Sequence, residues 1–175
     1  AYLDGNPFIC DGSQLGLKGD SWDLSTGLQF SDMEETAIDE TYEMLSGKFS
    51  QIDNSANQLS LTFTKESVPY ELTVQVRAYD DGVAFRYLVN GGDGQLTVVD
   101  ETSSFITPDN AKTWSFGAGG GGFSYEEFFN ESTVNDMNGD YAIPLMYEAY
   151  DDTYVLINEA NPVSYTHLTL PTTSR

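Results

Sequence analysis

The segment from Leu72 to Val89 limits the fold of this chain more tightly than any other part of it. Leu72, Val74, Val76 and Ala78 alternate with Thr73, Gln75, Arg77 and Tyr79, and a period of two marks a strand with one buried face. Asp81-Gly82 then offers two residues that tolerate positive φ, as a tight turn twisted to match its strands requires. Val83, Phe85, Tyr87 and Val89 resume the alternation. The expectation is a β-hairpin in an antiparallel sheet, with Val74, Val76 and Phe85 largely buried.

Most of the remaining chain reads the same way. Leu59, Leu61 and Phe63 alternate with Ser60, Thr62 and Thr64, and Asn90 to Gly94 is a turn cluster leading to Leu96 and Val98. Tyr141 to Tyr150 and Tyr154 to Ile157 flank Asp151-Asp152-Thr153 as a second hairpin. Short strands separated by Gly, Asn and Asp turns favour an all-β antiparallel sandwich over a sheet of βαβ units. One stretch points elsewhere. Met33, Ala37, Ile38, Tyr42 and Leu45 fall near helical spacing, behind acids that suit a first helical turn.

Charge narrows the partners. Against 28 acidic residues stand only 7 basic ones, a formal charge of −21, which repels nucleic acid and anionic membrane surfaces. The same carboxylates suit hard cations such as calcium, although most of them serve as a solvated surface. Eleven Tyr, ten Phe and two Trp supply the aromatic surface that disordered acidic chains lack. Cys10 is the only cysteine, so no internal disulfide forms, and without a usable His it has no activating partner. No apolar run is long enough to span a bilayer.

Several motifs have a plain reading beside a functional one. Gly117, Gly119 and Gly122 satisfy the dinucleotide-binding spacing but lack the surrounding βαβ unit, so a surface loop is favoured. Asp136, Asn138 and Asp140 open like a calcium loop, yet Tyr141 and Tyr147 stand where its Gly and Glu belong. That reads as an acidic turn. Asn130-Glu131-Ser132 fits a glycosylation sequon. Arg77 and Arg86 are expected to pair with carboxylates, and Trp22 and Trp114 to pack in a core rather than stack on sugar.

The wording of the motifs carries a resemblance. Arg77 to Tyr87 reads RAYDDGVAFRY; Ser13 to Leu17 reads SQLGL; Asp39 to Tyr42 reads DETY, with Gly47-Lys48 after it. Glu101 with Ser104-Phe105, Ile143-Pro144-Leu145 and Ile157-Asn158-Glu159-Ala160 follow in order. Together they resemble the N-terminal domain of glycoside hydrolase family 97, from about Leu3 to Pro162. The resemblance implies an antiparallel super-sandwich of the galactose-mutarotase-like kind, incomplete at both ends, with residues 1–162 as the domain. It implies extended structure through Asp32 to Leu45, and local helical spacing is a weak prior against tertiary context. It also implies a parent enzyme that hydrolyses α-glucosides or α-galactosides, periplasmic or secreted, whose catalytic residues lie on a (β/α)8 barrel outside this chain. By that likeness no residue here is catalytic, and Glu159 is carried over as a ligand of a calcium ion shared with the barrel. A non-catalytic carbohydrate-binding or interaction sandwich is the rival reading.

The segment 163–175, VSYTHLTLPTTSR, looks like the translation of a transposon-end sequencing adaptor and is set aside from fold reasoning. It contains His167, the only histidine, so no metal or catalytic role is given to that residue.

Overall fold

A computed structural model describes residues 1–92, 96–117 and 127–159, with the backbone of Thr169–Pro171. Among the described residues there is no α-helix, only strands and a single 3-10 turn at Val134–Asp136. The early strands are β1 (Tyr2–Leu3), β2 (Asn6–Pro7), β3 (Leu17–Gly19), β4 (Gln29–Glu43), β5 (Gln51–Lys65), β6 (Val68–Ala78) and β7 (Val83–Gly91). The later ones are β8 (Val98–Glu101), β9 (Lys112–Ser115), β10 (Asn130–Thr133), β11 (Asp140–Ala142), β12 (Leu145–Tyr150), β13 (Thr153–Ile157) and β14 (Thr169–Pro171). Every strand pair is antiparallel. The chain divides into two compact units, Gly16–Thr102 and Ala1–Leu15 with Ser103–Arg175.

The Gly16–Thr102 unit is built on a four-stranded sheet in the order β4-β5-β6-β7. Its register sets Leu72 beside Phe63 and Val89, and Val74 beside Leu61 and Tyr87. On this face Leu72, Val74, Phe63, Tyr87 and Val89 pack with Leu17, Trp22 and Leu24. Leu24 is fully buried, Trp22 packs edge-on to Tyr70 with ring centroids 5.8 Å apart, and the core reading of Trp22 holds. Thr73 and Ser60 are buried on the opposite face, where Thr62 and Thr73 hydroxyls lie 2.9 Å apart.

The hairpin stands where alternation placed it, with two corrections. Its loop is the four residues Tyr79 to Gly82, closed by the Tyr79 N–H donating to the Gly82 carbonyl at 2.8 Å, and none of the four has positive φ. A loop of that length is built without the left-handed residues a two-residue turn demands. Val74 is buried, but Val76 and Phe85 are only half-buried. Phe85 lies on β7, an edge strand, and leans edge-on against Tyr87 at 5.6 Å instead of entering the core cluster.

The stretch with helical spacing is β4, paired with β5 from Gln29↔Thr64 to Glu43↔Gln51. A continuous ladder of that length outweighs a local preference for helix. Arg77 and Arg86 also depart from expectation: their Nε atoms donate to Gln58 and Gln75 side-chain oxygens, both at 2.8 Å, not to carboxylates. Each partner sits on the neighbouring strand in direct register, so the nearest acceptor is an amide.

Gly19 shows how tightly this unit is closed. A Cβ there would lie 2.1 Å from the Trp22 ring nitrogen and 2.6 Å from the Thr97 carbonyl oxygen. Gly82 has open space and ordinary φ. Gly19→Ala is expected to cost about 1–3 kcal/mol by overpacking, whereas Gly82→Ala stays within about 0.5 kcal/mol. Urea denaturation of both variants is the check. A large loss at Gly82 would restore the tight-turn geometry that the four-residue loop replaces.

The second unit has its own sheet, in the order β10-β9-β12-β13, over a core of Ala111, Met137, Leu145 and Tyr147. Its N-terminal segment is tied down by backbone bonds, among them Cys10 N–H to Ile106 carbonyl at 2.7 Å and Ser104 N–H to Gln14 carbonyl at 2.8 Å. β11 pairs with β14 over Asp140↔Pro171 to Ala142↔Thr169. The rest of segment 163–175, His167 included, lies outside the described residues, as do Gly119 and Gly122. Deleting residues 163–175 is expected to leave the melting temperature nearly unchanged, because a three-residue edge pairing contributes little. A sharp drop would make the β11–β14 pairing part of the fold.

Candidate functional site

Glu159 is positioned by the β12–β13 hairpin. Asp151-Asp152 forms its turn, with Asp152 at φ 58°, a conformation Asp tolerates better than most residues. The register runs from Tyr150↔Thr153 to Leu145↔Ile157, with a bulge at Glu148/Tyr150. Leu145 and Tyr147 are buried on the inner face, and Val155 and Ile157 pack against them. Tyr154 and Leu156 point outward and are exposed. Beyond Ile157 the strand ends; Asn158 is exposed and Glu159 half-buried.

Tyr147 anchors this geometry. It is fully buried, and its hydroxyl donates to the Phe8 carbonyl, joining the N-terminal segment to β12. Burial raises its pKa above the ordinary tyrosine value, with the nearby Cys10 thiol adding to the effect. The phenol is therefore a structural hydrogen-bond donor, not an acid for chemistry near neutral pH.

The outward face of the same sheet carries the other sequence candidates. Trp114 on β9 is half-buried, 5.8 Å from Tyr154 between ring centroids, with the Lys112 ammonium 5.1 Å from its own. Lys112 also pairs with Glu131 at 2.9 Å, and that hydrogen bond raises the lysine pKa. Asp136 closes the 3-10 turn by accepting from Thr133 Oγ1 at 2.7 Å, and Gly139 turns the chain at φ 102° before Asp140 enters β11. Asp136 thus ends the 3-10 turn, Asn138 lies in the connection and Asp140 opens β11, so the three do not share the single acidic turn that their spacing suggested. Cys10 is a half-buried free thiol.

Among the described residues no group of three or more His, Cys, Asp or Glu is placed to hold a metal ion. Glu159 is a half-buried carboxylate two residues past the end of β13, a donor type that calcium accepts. Calcium takes six to eight oxygens, so the described residues offer a ligand without a complete site. No helix among them is long and apolar enough to cross a membrane. A hollow of about 430 Å³ lined by Lys18, Trp22, Asp23 and Lys65 lies in the other unit. Both lysines are engaged there, Lys18 with the Asp23 carboxylate at 3.9 Å and Lys65 with the Asp23 carbonyl at 2.8 Å.

Comparison with known proteins places this arrangement. The family model described as glycosyl-hydrolase 97 N-terminal matches residues 2–175. A probable retaining alpha-galactosidase of Streptomyces bingchenggensis is 31% identical over 159 residues, 90% of this chain and 24% of that protein. A retaining alpha-galactosidase of Bacteroides thetaiotaomicron is 29% identical over 153 residues, 81% of this chain and 22% of that protein. The chain therefore spans under a quarter of the length of these two curated relatives.

Solved structures agree on the fold. A glycoside hydrolase family 97 enzyme from Pseudoalteromonas sp. strain K8, in complex with acarbose, superimposes with a TM-score of 0.77 at 20% identity. That match covers 92% of this chain and 25% of the other. A beta-arabinopyranosidase superimposes with a TM-score of 0.72 at 26% identity, over 85% of this chain and 26% of the other. The ordered motifs, the all-β antiparallel sandwich fold and the match over residues 2–175 converge, and the chain belongs to the glycosyl-hydrolase 97 family as its N-terminal domain.

Proposed function

We propose that this domain belongs to a secreted or periplasmic glycoside hydrolase cleaving α-galactosidic or α-glucosidic bonds. Its role is to brace a catalytic (β/α)8 barrel in the same polypeptide and to complete the rim of that barrel's active site. One observation carries the reading: the family match runs through the whole domain, while the relatives extend far beyond it. Both curated relatives are named as retaining alpha-galactosidases, which favours α-galactosides and a retaining mechanism. A retaining glycosidase needs two carboxyl groups about 5–5.5 Å apart, and the barrel supplies them.

Within this domain Glu159 is the residue assigned to the site. It contributes one carboxylate to a calcium ion whose other ligands come from the barrel. When bound, calcium supplies positive charge near the sugar hydroxyls. Glu159's own task is to hold a charged oxygen at a fixed place, and the buried Leu145 and Tyr147, with the half-buried Ile157 packed against them, anchor the β12–β13 hairpin that leads to it. The contiguous reading frame after Pro162 tests the assignment. A barrel with spaced glutamates supports it; a stop codon, or a linker to an unrelated module, favours a carbohydrate-binding or interaction sandwich instead.

A further inference from the structure

Asparagine is chemically least durable where glycine follows it, because glycine has no Cβ to hold its main-chain nitrogen away from the asparagine side chain. The sequence has two such pairs, Asn90-Gly91 and Asn138-Gly139. The fold treats them differently.

Asn90 and Gly91 are the last residues of β7, in register with Glu71 and Tyr70 of β6. Gly91 is tightly seated, since a Cβ there would lie 2.6 Å from the Pro69 carbonyl oxygen. Before its nitrogen can turn towards the Asn90 side chain, this end of the ladder must open.

Asn138-Gly139 lies between the 3-10 turn and β11, outside both elements. Both residues are exposed. The Asn138 N–H donates to the Tyr141 hydroxyl at 3.3 Å, while its side-chain amide makes no hydrogen bond among the described residues. At Gly139, with φ 102°, no atom stands within 4 Å of where a Cβ would be. Attack on the Asn138 side chain therefore needs no ladder to break.

We propose that Asn138 is a site of spontaneous deamidation, selected over Asn90 by the fold and passing through a cyclic imide to aspartate and isoaspartate. The Gly139 main-chain nitrogen gives up its proton to solvent and bonds to the Asn138 side-chain carbonyl carbon. The bond from that carbon to Nδ2 breaks, and the nitrogen takes up a proton and leaves as ammonia. Water then opens the imide at either carbonyl. Opening at the side-chain carbonyl gives aspartate; opening at the main-chain carbonyl gives isoaspartate, whose main chain runs through the former side chain. Nothing is oxidised or reduced. Either product adds a negative charge between Asp136 and Asp140 in the sequence. Isoaspartate also lengthens the link between the buried Met137 and the buried Ala142.

The test is incubation of the full-length polypeptide in mildly alkaline buffer, native and in guanidinium, followed by peptide mapping with electron-transfer fragmentation. In the native protein the Asn138 peptide should convert to a mixture of isoaspartate and aspartate about tenfold faster than the Asn90 peptide converts. In guanidinium the two rates should converge, because the ladder that protects Asn90 is gone. A native Asn138 that stays intact, or that converts no faster than Asn90, would overturn the proposal. A rate ratio unchanged by guanidinium would overturn selection by the fold, and aspartate without isoaspartate would overturn the imide route.

Discussion

Tyr147→Ala is expected to cost about 3–5 kcal/mol, among the largest losses available from a single side chain here. The ring is fully buried among Ala111, Met137 and Leu145, so truncation leaves a cavity that a sheet cannot readily collapse. Tyr147→Phe keeps the ring but leaves the Phe8 carbonyl without this donor, and should cost about 1–3 kcal/mol. A pH signature separates the two effects. The folded-state pKa lies above the ordinary tyrosine value, so the proton is held more tightly folded than unfolded. That stability is fully present below pH 10 and is lost as pH rises further towards the folded-state pKa. Alkaline unfolding of the parent chain should therefore accompany phenolate absorbance, and Tyr147→Phe should flatten this dependence above pH 10. Denaturant midpoints measured between neutral pH and pH 11 decide the matter. An unchanged alkaline slope in Tyr147→Phe would remove Tyr147 as its source.

In the full-length enzyme, Glu159→Gln is expected to weaken calcium by about tenfold or more and to lower turnover with it. Glutamine keeps the shape and the hydrogen-bonding oxygen but removes the charge, so a loss reports on the ion rather than on packing. Supplementing calcium should partly restore the rate, because the barrel ligands remain. Glu159 follows the last ladder residue of β13, and a denaturant midpoint measured in parallel separates loss of the ion from loss of stability. Calcium titration with parallel turnover measurements checks this. Unchanged affinity with unchanged rate would leave Glu159 an ordinary strand-end carboxylate.

Much of the fold was legible because period-2 alternation reports which face of a strand meets a core. Val74 and Leu72 obeyed it, as did Tyr147 and Val155 in the other unit. Alternation does not report how far a core extends along a strand, and Phe85, on an edge strand, is consequently half-buried. Asp81-Gly82 is compatible with both a two-residue turn and the middle of a longer loop, so composition alone did not choose. Asp32 to Leu45 has helical spacing on a strand because the β4–β5 ladder supplies what local preference does not. The glutamine partners of Arg77 and Arg86 depend on register across β5, β6 and β7, which no single segment contains. Glu159 was legible only through the likeness of its motif. With 28 acidic residues, carboxylate spacing carries little information.

The most direct measurement is hydrolysis of nitrophenyl α-galactoside and α-glucoside by two preparations: the full-length polypeptide, and residues 1–162 alone. The full-length protein should turn over at least one substrate, lose that activity to a calcium chelator and recover it with added calcium. The domain alone should be inert on both. A full-length protein inactive on both substrates, or a domain that hydrolyses one by itself, would contradict the assignment of this chain as the bracing N-terminal domain of a calcium-assisted α-glycosidase.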